Sequence, residues 1–353
     1  MKRYVVFSLA LVMVFGLLAG LAAPAPVQAQ GIRIGLVTDV GQIDDRSFNQ
    51  SAWEGAQQAA ELVGGTADYI ETQDPNDYAT NIALFAEDDY EVIITVGFAL
   101  GDATIAAAQT YPDTHFIAVD VDVVFLMSLA GVELTNVTGL IFREDKAGFL
   151  AGVLAGRMTQ SGVVAAVLGT DQVPPVVRFN EGFVAGARYA NPDIQVLSSY
   201  HPGGLAIAFD DPAWGAQTAA QAIQSRADVI FGAGGKTGNG ALEEVARRTT
   251  ADNPLYCIGV DTDQWFTVPA AHPCLISSAT KDIPNGIIEI VTALVEGTLE
   301  PGNFIGDVGL ADFHDFAEVV PEEVQEELME IREMLLEGLL DPLTGEMIEP
   351  EGE

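Results

Sequence analysis

The sequence predicts an α/β protein of two doubly wound parallel-sheet lobes joined by a three-strand hinge. Strand-like runs of Val, Ile and Ala alternate with helical stretches from residue 31 onward. Many of these runs are nearly continuous in apolar residues, which indicates strands covered on both faces, as in parallel sheets. The alternation starts again at residue 162, so the chain contains two successive halves of the same design.

The first half reads as regular strand–helix units. It opens with the strand IRIGLVTD and the helix NQSAWEGAQQAAELVG, which ends at Gly64 and Gly65. The segments that follow are strand ADYIET, helix NDYATNIALFAEDD, strand EVIITVG, helix GDATIAAAQTY and strand HFIAVDVD. A strand running into an Ala- and Gly-rich helix completes the half as NVTGLIFREDKAGFLAGVLAGRM.

The second half repeats this order. Its predicted strands are GVVAAVLG, IQVLSSY, ADVIFGAG, LYCIGVD and CLISSATKD, and its helices lie around FNEGFVAGARYA, AWGAQTAAQAIQS and GNGALEEVARR. The helix NGIIEIVTALVEG and the irregular stretch NFIGDVGLADFHDF come next. The tail PEEVQEELMEIREMLLEG has an apolar stripe, which predicts a helix docked on one lobe.

The lobe boundaries follow from where the chain has to cross between the halves. We expect crossings near residues 142, 280 and 305. The N-terminal lobe is then predicted to contain residues 30–142 plus 280–305, and the C-terminal lobe residues 143–279 plus 306–353. Two cores suit this length, because single cores stop growing at about 250–300 residues.

The first 29 residues have the pattern of a secretory signal peptide. Lys2 and Arg3 precede an apolar run, and VQA stands before Gln30 at a suitable cleavage site. An uncleaved membrane anchor is the alternative, since the run approaches the spanning length of about 20 residues. No cysteine lies near the end of the segment. We therefore expect an exported protein, in the periplasm or on the outer face of the cytoplasmic membrane, without a lipid-modified N-terminal cysteine.

The composition excludes some functions. Lys and Arg total 15 against 51 Asp and Glu, a formal net charge of −36. Neutralising phosphates needs clustered basic residues, so we expect no nucleic-acid partner. A hydrophobic content of 49% and a mean hydropathy of +0.25 argue against disorder.

The two cysteines, Cys257 and Cys274, form a candidate disulfide. Each opens a strand-like run, and neighbouring parallel strands would bring the two residues side by side. An exported chain meets oxidising conditions, under which such a pair can form a bond. The alternative is a pair of small buried thiols. A structural metal site is not expected, because the sequence offers only two thiols and four scattered histidines as ligands.

Candidate binding residues follow the strands. In open α/β sheets, ligands bind beyond the carboxyl ends of the strands. Those ends carry residues 39–49 and Asp120 in the first half, and residues 169–172, 199–204, 232–240, 260–265 and 280–282 in the second. Hydrogen-bond acceptors, glycines and aromatics thus gather at one rim of each half. Two such rims facing each other would form a cleft.

The loop after the first strand allows two interpretations. Asp39, Asp44 and Asp45 loosely resemble the calcium-binding loop of nucleoside hydrolases, because hard cations prefer several carboxylate oxygens. The same aspartates could instead cap the helix that follows. No GxSxG, HExxH or Cys–His motif is present, and His115, His201, His272 and His314 lie in turns or at strand edges. We expect no catalytic residue, no metal and no cofactor.

Aromatic residues and a glycine loop are the other candidates. Phe48 is either core or a stacking surface, while Phe179 and Phe183 share one helix face. We expect Phe183 in the core and Phe179 at the cleft. The loop GAGGKTGNG lacks a Walker motif, so we expect its backbone amides to approach a neutral polar ligand or simply to form a tight turn.

Five segments together resemble the basic membrane protein family of ABC transporter substrate-binding proteins. They are DDRSFNQSAWEG, VVRFNEGFVAGA, GAGGKTGNGALE, IGVDTDQW and SSATKDI, in the family's order. The resemblance covers about residues 32–340. It implies a type I periplasmic-binding fold, as in purine nucleoside receptors, with a nucleoside held between two lobes and an ABC permease in the membrane as partner. We expect the protein to be a monomer.

The resemblance also implies a set of ligand-binding residues. Phe48 and Phe179 would stack on the two faces of the base, and Asp44 and Asn49 would bind its polar edges. The base edge or the ribose would be surrounded by Asp120, Gly232, Gly234, Asp261 and Lys281. A carboxylate and an ammonium suit vicinal hydroxyls, which both donate and accept hydrogen bonds.

The sequence departs from the family pattern at two points. The lipoprotein cysteine of many bacterial members is absent, and Lys236 stands in a glycine turn that is usually uncharged. An inward Lys236 could admit a phosphate. Two rival functions therefore stay open: a binder of a sugar or an amino acid in the same fold, and a secreted metal-dependent nucleoside hydrolase.

Overall fold

The structure, a computed structural model, describes residues 31–348. The strands are β1 (Arg33–Val40), β2 (Thr66–Thr72), β3 (Val92–Val96), β4 (His115–Val119), β5 (Val137–Ile141), β6 (Val163–Leu168), β7 (Gln195–Tyr200), β8 (Val229–Ala233), β9 (Tyr256–Asp261), β10 (Leu275–Lys281), β11 (Gly302–Ile305) and β12 (Val308–Leu310). The predicted signal peptide, residues 1–29, lies outside the described residues.

The helices fill the connections between these strands. They are α1 (Phe48–Leu62), α2 (Tyr78–Ala86), α3 (Gly101–Thr110), α4 (Val123–Ala130), α5 (Glu144–Met158), α6 (Pro174–Ala190), α7 (Pro212–Gln224), α8 (Gly235–Arg248), α9 (Gln264–Thr267), α10 (Ile283–Glu296) and α11 (Glu322–Leu336). Within residues 31–348, none of the helices has the length and apolar character needed to cross a membrane.

The strands form two six-stranded sheets. Their spatial orders are β11-β5-β4-β3-β1-β2 and β12-β10-β9-β8-β6-β7. All neighbours in the first sheet are parallel, and only β12 runs antiparallel in the second. The central strands are buried along their length, as in β3 and β8, because helices cover both faces of each sheet. The predicted fold class, two doubly wound α/β sheets, is confirmed.

The chain passes between the two sheets three times. It leaves the first sheet between β5 and α5, returns between β10 and α10, and leaves again between β11 and β12. Helix α10 packs against α1, whereas α5 packs against α6. We propose that each sheet forms one lobe together with its helices, and we call these the first and second lobes. The lobe boundaries near residues 142, 280 and 305 belong to the same proposal.

Three details differ from or extend the sequence analysis. Helix α4 was not predicted, and the stretch expected to be irregular contributes β11 and β12. Helix α11 docks on α5 through its apolar stripe, with Leu328 and Ile331 buried. Cys257 in β9 and Cys274 just before β10 are joined by a disulfide with a Cα–Cα distance of 5.1 Å.

Candidate ligand-binding cleft

A cavity lies where the carboxyl ends of the two sheets face each other. It contains about 660 Å³ of space free of protein atoms, a volume that includes the solvent space at its opening. The first lobe contributes a mixed wall in which Asp39, Asn49 and Asp120 are polar and Phe48 and Phe98 are apolar. The second lobe contributes a largely apolar wall that includes Val176 and Leu205. A ligand with one polar edge and one apolar surface fits such a cavity.

Most of the predicted site residues line this cavity. They are Phe48, Asn49, Asp120, Phe179, Gly234, Asp261 and Lys281. The two lobes contribute them from the ends of β4, β9 and β10, from α1 and α6, and from the turn before α8. The structure therefore brings together residues that are far apart in the sequence.

Two predicted residues lie elsewhere. The side chain of Asp44 is 79% exposed, with its Oδ1 atom 3.1 Å from Nζ of Lys236. Gly232 lies inside β8 and not on the cavity wall; a Cβ atom there would approach the Gly238 carbonyl oxygen to 2.9 Å. Gly232 is thus required by the close packing of α8 on its strand, and Asp44 faces the second lobe at the loop's outer side.

Asp39 lines the cavity although it was not selected as a ligand-binding residue. It is the seventh residue of β1, and the strand-end rule applied strictly would have selected it. The Asn49 side chain lies beside it and opposes the rise of its pKa. Burial raises the pKa of Asp39 to about 7, and the neighbouring carboxylates of Asp45 and Asp120 act in the same direction. Near neutral pH, Asp39 can therefore exist in either protonation state.

Asp45 also faces the cavity, but its oxygens are used by the backbone. The amides of Ser47 and Asn49 donate to it at 2.9 Å each, and the amide of Gln50 donates at 3.1 Å. These bonds hold the start of α1, which carries Phe48 and Asn49. Burial raises the pKa of Asp45 to about 6, although the three amide bonds oppose the shift.

Both halves have the same turn after a strand that ends at the cleft. The motif Val-Asp-x-Asp occurs at residues 119–122 and again at 260–263. The first aspartate of each copy, Asp120 or Asp261, lines the cavity and has left-handed backbone, with φ of 63° and 66°. The second aspartate of each copy caps the following helix by accepting a backbone hydrogen bond. A left-handed residue at each strand end turns these two carboxylates inward.

Lys281 is the cation that lies between Asp120 and Asp261. Its Nζ atom lies 2.6 Å from Asp120, 3.6 Å from Glu144 and 3.8 Å from Asp261. Burial alone would lower the pKa of Lys281, but the three carboxylates raise it, so the side chain is a charged ammonium. Lys281 belongs to the second sheet and Asp120 follows a strand of the first, so this contact crosses the cleft.

Two phenylalanine rings face the same point. The Lys281 ammonium lies 4.7 Å from the centre of the Phe48 ring and 5.7 Å from that of Phe179, within cation–π range. Phe183 stacks on Phe231 in the core and is fully buried. One ring from each lobe therefore borders the cavity.

Buried oxygens without partners mark where a ligand could donate hydrogen bonds. Within residues 31–348, Asn49 Oδ1, Asp120 Oδ1 and Glu144 Oε1 are buried and accept no hydrogen bond. Leaving such acceptors unsatisfied is unfavourable, so native structures rarely do it. Asn49 and Asp120 line the cavity, which suits a ligand with N–H or O–H groups.

The aspartates that suggested calcium do not converge. Asp44 points to Lys236, Asp45 binds backbone amides, and Asp39 contacts Asn49. Across the described part of the chain, no three His, Cys, Asp or Glu side chains are placed to hold a metal ion. The geometry thus supports capping and ligand contact by these residues.

Comparisons with known proteins identify a family. The model of the family described as "ABC transporter substrate-binding protein PnrA-like" matches residues 32–323. A CD4+ T-cell-stimulating antigen of Listeria monocytogenes is 35% identical over 66% of this chain and 63% of its own length. The ABC transporter nucleoside-binding protein BmpA of Lactococcus lactis is 34% identical over 67% of this chain and 65% of its own. The chain thus spans slightly less than two thirds of these relatives.

A solved structure supports the fold. The solute-binding protein of an ABC transporter system from Aeropyrum pernix superposes with a TM-score of 0.75 at 24% identity, over 88% of this chain and 92% of that one. At this level of identity the likeness concerns the fold, namely two facing doubly wound sheets.

Proposed function

This chain belongs to the family of PnrA-like ABC transporter substrate-binding proteins, and we propose that it binds a neutral nucleoside, of the purine class, between its lobes. Proteins of this family are exported to the periplasm or the outer face of the cytoplasmic membrane, where this chain also belongs. They are binding proteins and not enzymes, so the nucleoside hydrolase interpretation is set aside. We propose a membrane permease as the partner.

The pair of rings carries this proposal. Phe48 and Phe179 come from different lobes, both line the cavity, and both lie within cation–π range of the Lys281 ammonium. A flat base between them would be stacked on both faces, at about 1–3 kcal/mol per base–ring contact. A simple sugar or an aliphatic amino acid has no aromatic ring to stack between them. The Lactococcus relative is named as a nucleoside-binding protein, which agrees with the same chemistry.

The charges of the cavity support a neutral ligand. Asp39, Asp45, Asp120 and Asp261 line it, against the single cation Lys281. An anionic ligand such as a nucleotide would meet excess negative charge at short range. The hydroxyls of a ribose can donate to Asp120 or Asp261 and accept from Lys281. The open acceptor of Asn49 can receive an N–H group from the base edge.

A thermal-shift experiment tests the proposal. The panel contains adenosine, guanosine, inosine, cytidine, ribose and AMP, and a ligand far above its Kd raises the Tm by mass action. We expect purine nucleosides to raise the Tm, and Phe48→Ala to abolish the rise. Phe125→Ala is the matched control, because that ring is exposed on α4. A rise with ribose or AMP and none with nucleosides would contradict the proposed ligand.

A further inference from the structure

The loop between β1 and α1 holds on to the second lobe. We call residues 42–47 the clasp loop. The backbone carbonyl of Arg46 accepts hydrogen bonds from Gln264 Nε2 at 3.0 Å and from Thr267 Oγ1 at 2.8 Å. The carbonyl of Asp45 accepts one from Asn239 Nδ2 at 2.7 Å. All three donors belong to the second lobe.

A side chain of the clasp loop adds a fourth hydrogen bond. The hydroxyl of Ser47 donates to Asp261 Oδ2 at 2.8 Å, and both residues are buried. Two further hydrogen bonds hold the Gln264 side chain in position to bind the clasp loop. Its Oε1 atom accepts from the Val260 amide, and its Nε2 atom also donates to Asn239. The donors of the second lobe therefore form one preorganised surface.

Two ion pairs flank these hydrogen bonds. Lys236 of the second lobe lies 3.1 Å from Asp44 and also donates to Gln42, both in the clasp loop. In the opposite direction, Arg46 of the clasp loop lies 3.0 Å from Glu243 in α8. Each lobe thus contributes one cation to a carboxylate of the other.

The backbone of the clasp loop is shaped by these contacts. Arg46 has a φ of 61°, a left-handed conformation that costs a residue with a side chain free energy. Such a conformation persists only where the surroundings impose it, and here the two bonds to the Arg46 carbonyl do so. Every partner is a protein atom, so the contacts require no bound molecule.

Lys236 is occupied by this contact and is not available for a ligand. It lies 3.9 Å from Asp210 in addition to its clasp-loop partners, and it is not part of the cavity wall. From the sequence alone, a contact between Lys236 and a phosphate was open. Its surroundings, with Asp44 and Asp210 nearby, favour a contact between the lobes over an anion site.

We propose that the clasp loop, with Lys236 and Arg46, is a latch that holds the lobes together across the cleft and thereby sets how slowly the ligand leaves. The part about ligand release rests on the proposed function, whereas the part about lobe contact does not. Both ion pairs are partly exposed to solvent, so the latch weakens when salt screens them.

The distance between the lobes provides the test. Dyes on Gln57 of α1 and Gln221 of α7, both exposed, report lobe separation by single-molecule FRET without added ligand. We expect the double variant K236Q/R46Q to lower the ratio of closed to open molecules about fivefold. The control R188Q/R226Q removes two exposed cations of the second lobe that lie outside the latch, and it should match the wild type.

Salt and release rates complete the experiment. For the wild type, raising NaCl to about 1 M, where the Debye length is about 3 Å, should shift the FRET distribution toward open. Stopped-flow release of adenosine should be about fivefold faster from K236Q/R46Q than from the control. A closed population unchanged by both the substitutions and salt would overturn the latch. Failure of the wild type to bind any nucleoside would overturn the proposed function. The FRET measurement without ligand would then decide by itself whether the clasp loop holds the lobes together.

Discussion

Lys281 is the residue on which the charge balance of the cleft depends. It is only 3% exposed, and its ammonium is shared by three carboxylates from both lobes. Buried carboxylates are tolerated when a cation and hydrogen bonds compensate them. Without the ammonium, Asp120 would be left with an uncompensated negative charge and an already unsatisfied oxygen, whereas Glu144 would keep its 2.6 Å contact with Arg178.

The variant Lys281→Met should therefore be strongly destabilised. Removing one partner of a buried ion pair costs about 3–5 kcal/mol, and urea unfolding at pH 7.5 measures it. The loss should shrink at pH 5, because the orphaned carboxylates can then be protonated. Lys146→Met in α5 is the control and should change the free energy of unfolding little. Equal effects of the two substitutions would show that the cluster does not depend on Lys281.

Asp39 predicts a pH dependence of stability. Its pKa rises from 3.8 to about 7 on folding, chiefly by burial, so the folded state binds its proton more tightly than the unfolded chain does. This contribution is present below pH 4 and is lost as the pH rises from about 4 to about 7. Asp45, raised to about 6, acts in the same direction.

The substitution Asp39→Asn should remove the free-energy cost of burying the Asp39 charge at neutral pH. In ligand-free protein we expect the free energy of unfolding to rise at pH 7.5, on the order of 2 kcal/mol, and to change little at pH 4. Asp113→Asn, at an exposed turn, is the control and should be neutral at both values. A loss of stability at pH 7.5 would contradict the expected burial of the Asp39 charge.

The sequence could nominate the loop of residues 39–49 but not sort its aspartates. The strand-end rule and the helix start predict that this loop borders a ligand. Which carboxylate turns inward depends on the backbone of the loop, including the left-handed Arg46. Nothing local favours that conformation for arginine, so Asp44 was selected although the structure places Asp39 and Asp45 at the cavity.

At the scale of elements, α5 and α6 position Phe179 by direct backbone contact. Glycines on α5 lie against the backbone of α6: a Cβ atom on Gly148 would come within 2.2 Å of the Phe179 carbonyl oxygen. The same distance, 2.2 Å, applies from Gly152 to the Phe183 carbonyl oxygen. The glycines therefore fix the helix spacing and with it the depth of the Phe179 ring.

The variant Gly148→Ala tests this spacing. The added methyl group has to push α6 away, and overpacking of this kind typically costs 1–3 kcal/mol. We expect a lower Tm and, because Phe179 moves with its helix, a weaker nucleoside affinity measured by calorimetry. Unchanged stability and affinity would mean that the two helices are not held at backbone contact.

Helix α4 shows why an element can escape sequence analysis. Its residues VVFLMSLA are almost all apolar, so they have no polar face and no 3.6-residue period to detect. The helix nevertheless exposes Val124, Phe125 and Leu129. The elements with regular strand–helix alternation, by contrast, were predictable because their central strands are buried along their length, as in β3 and β8.

At the scale of the whole molecule, the order of elements predicted two doubly wound sheets, and the structure has them. The contacts across the cleft could not be predicted in the same way. Residues such as Arg46 and Glu243 are about 200 positions apart, and their pairing depends on how two sheets face each other. The local pattern of a sequence contains no information about that distance.

Calorimetric titration of the wild-type protein with guanosine, inosine and ribose tests whether a purine base is held between Phe48 and Phe179. We expect one binding site for a purine nucleoside, no measurable heat with ribose alone, and loss of binding in Phe48→Ala but not in Phe125→Ala. Binding of ribose without a preference for the nucleoside, or nucleoside binding that survives Phe48→Ala, would contradict a base held between the rings of the two lobes.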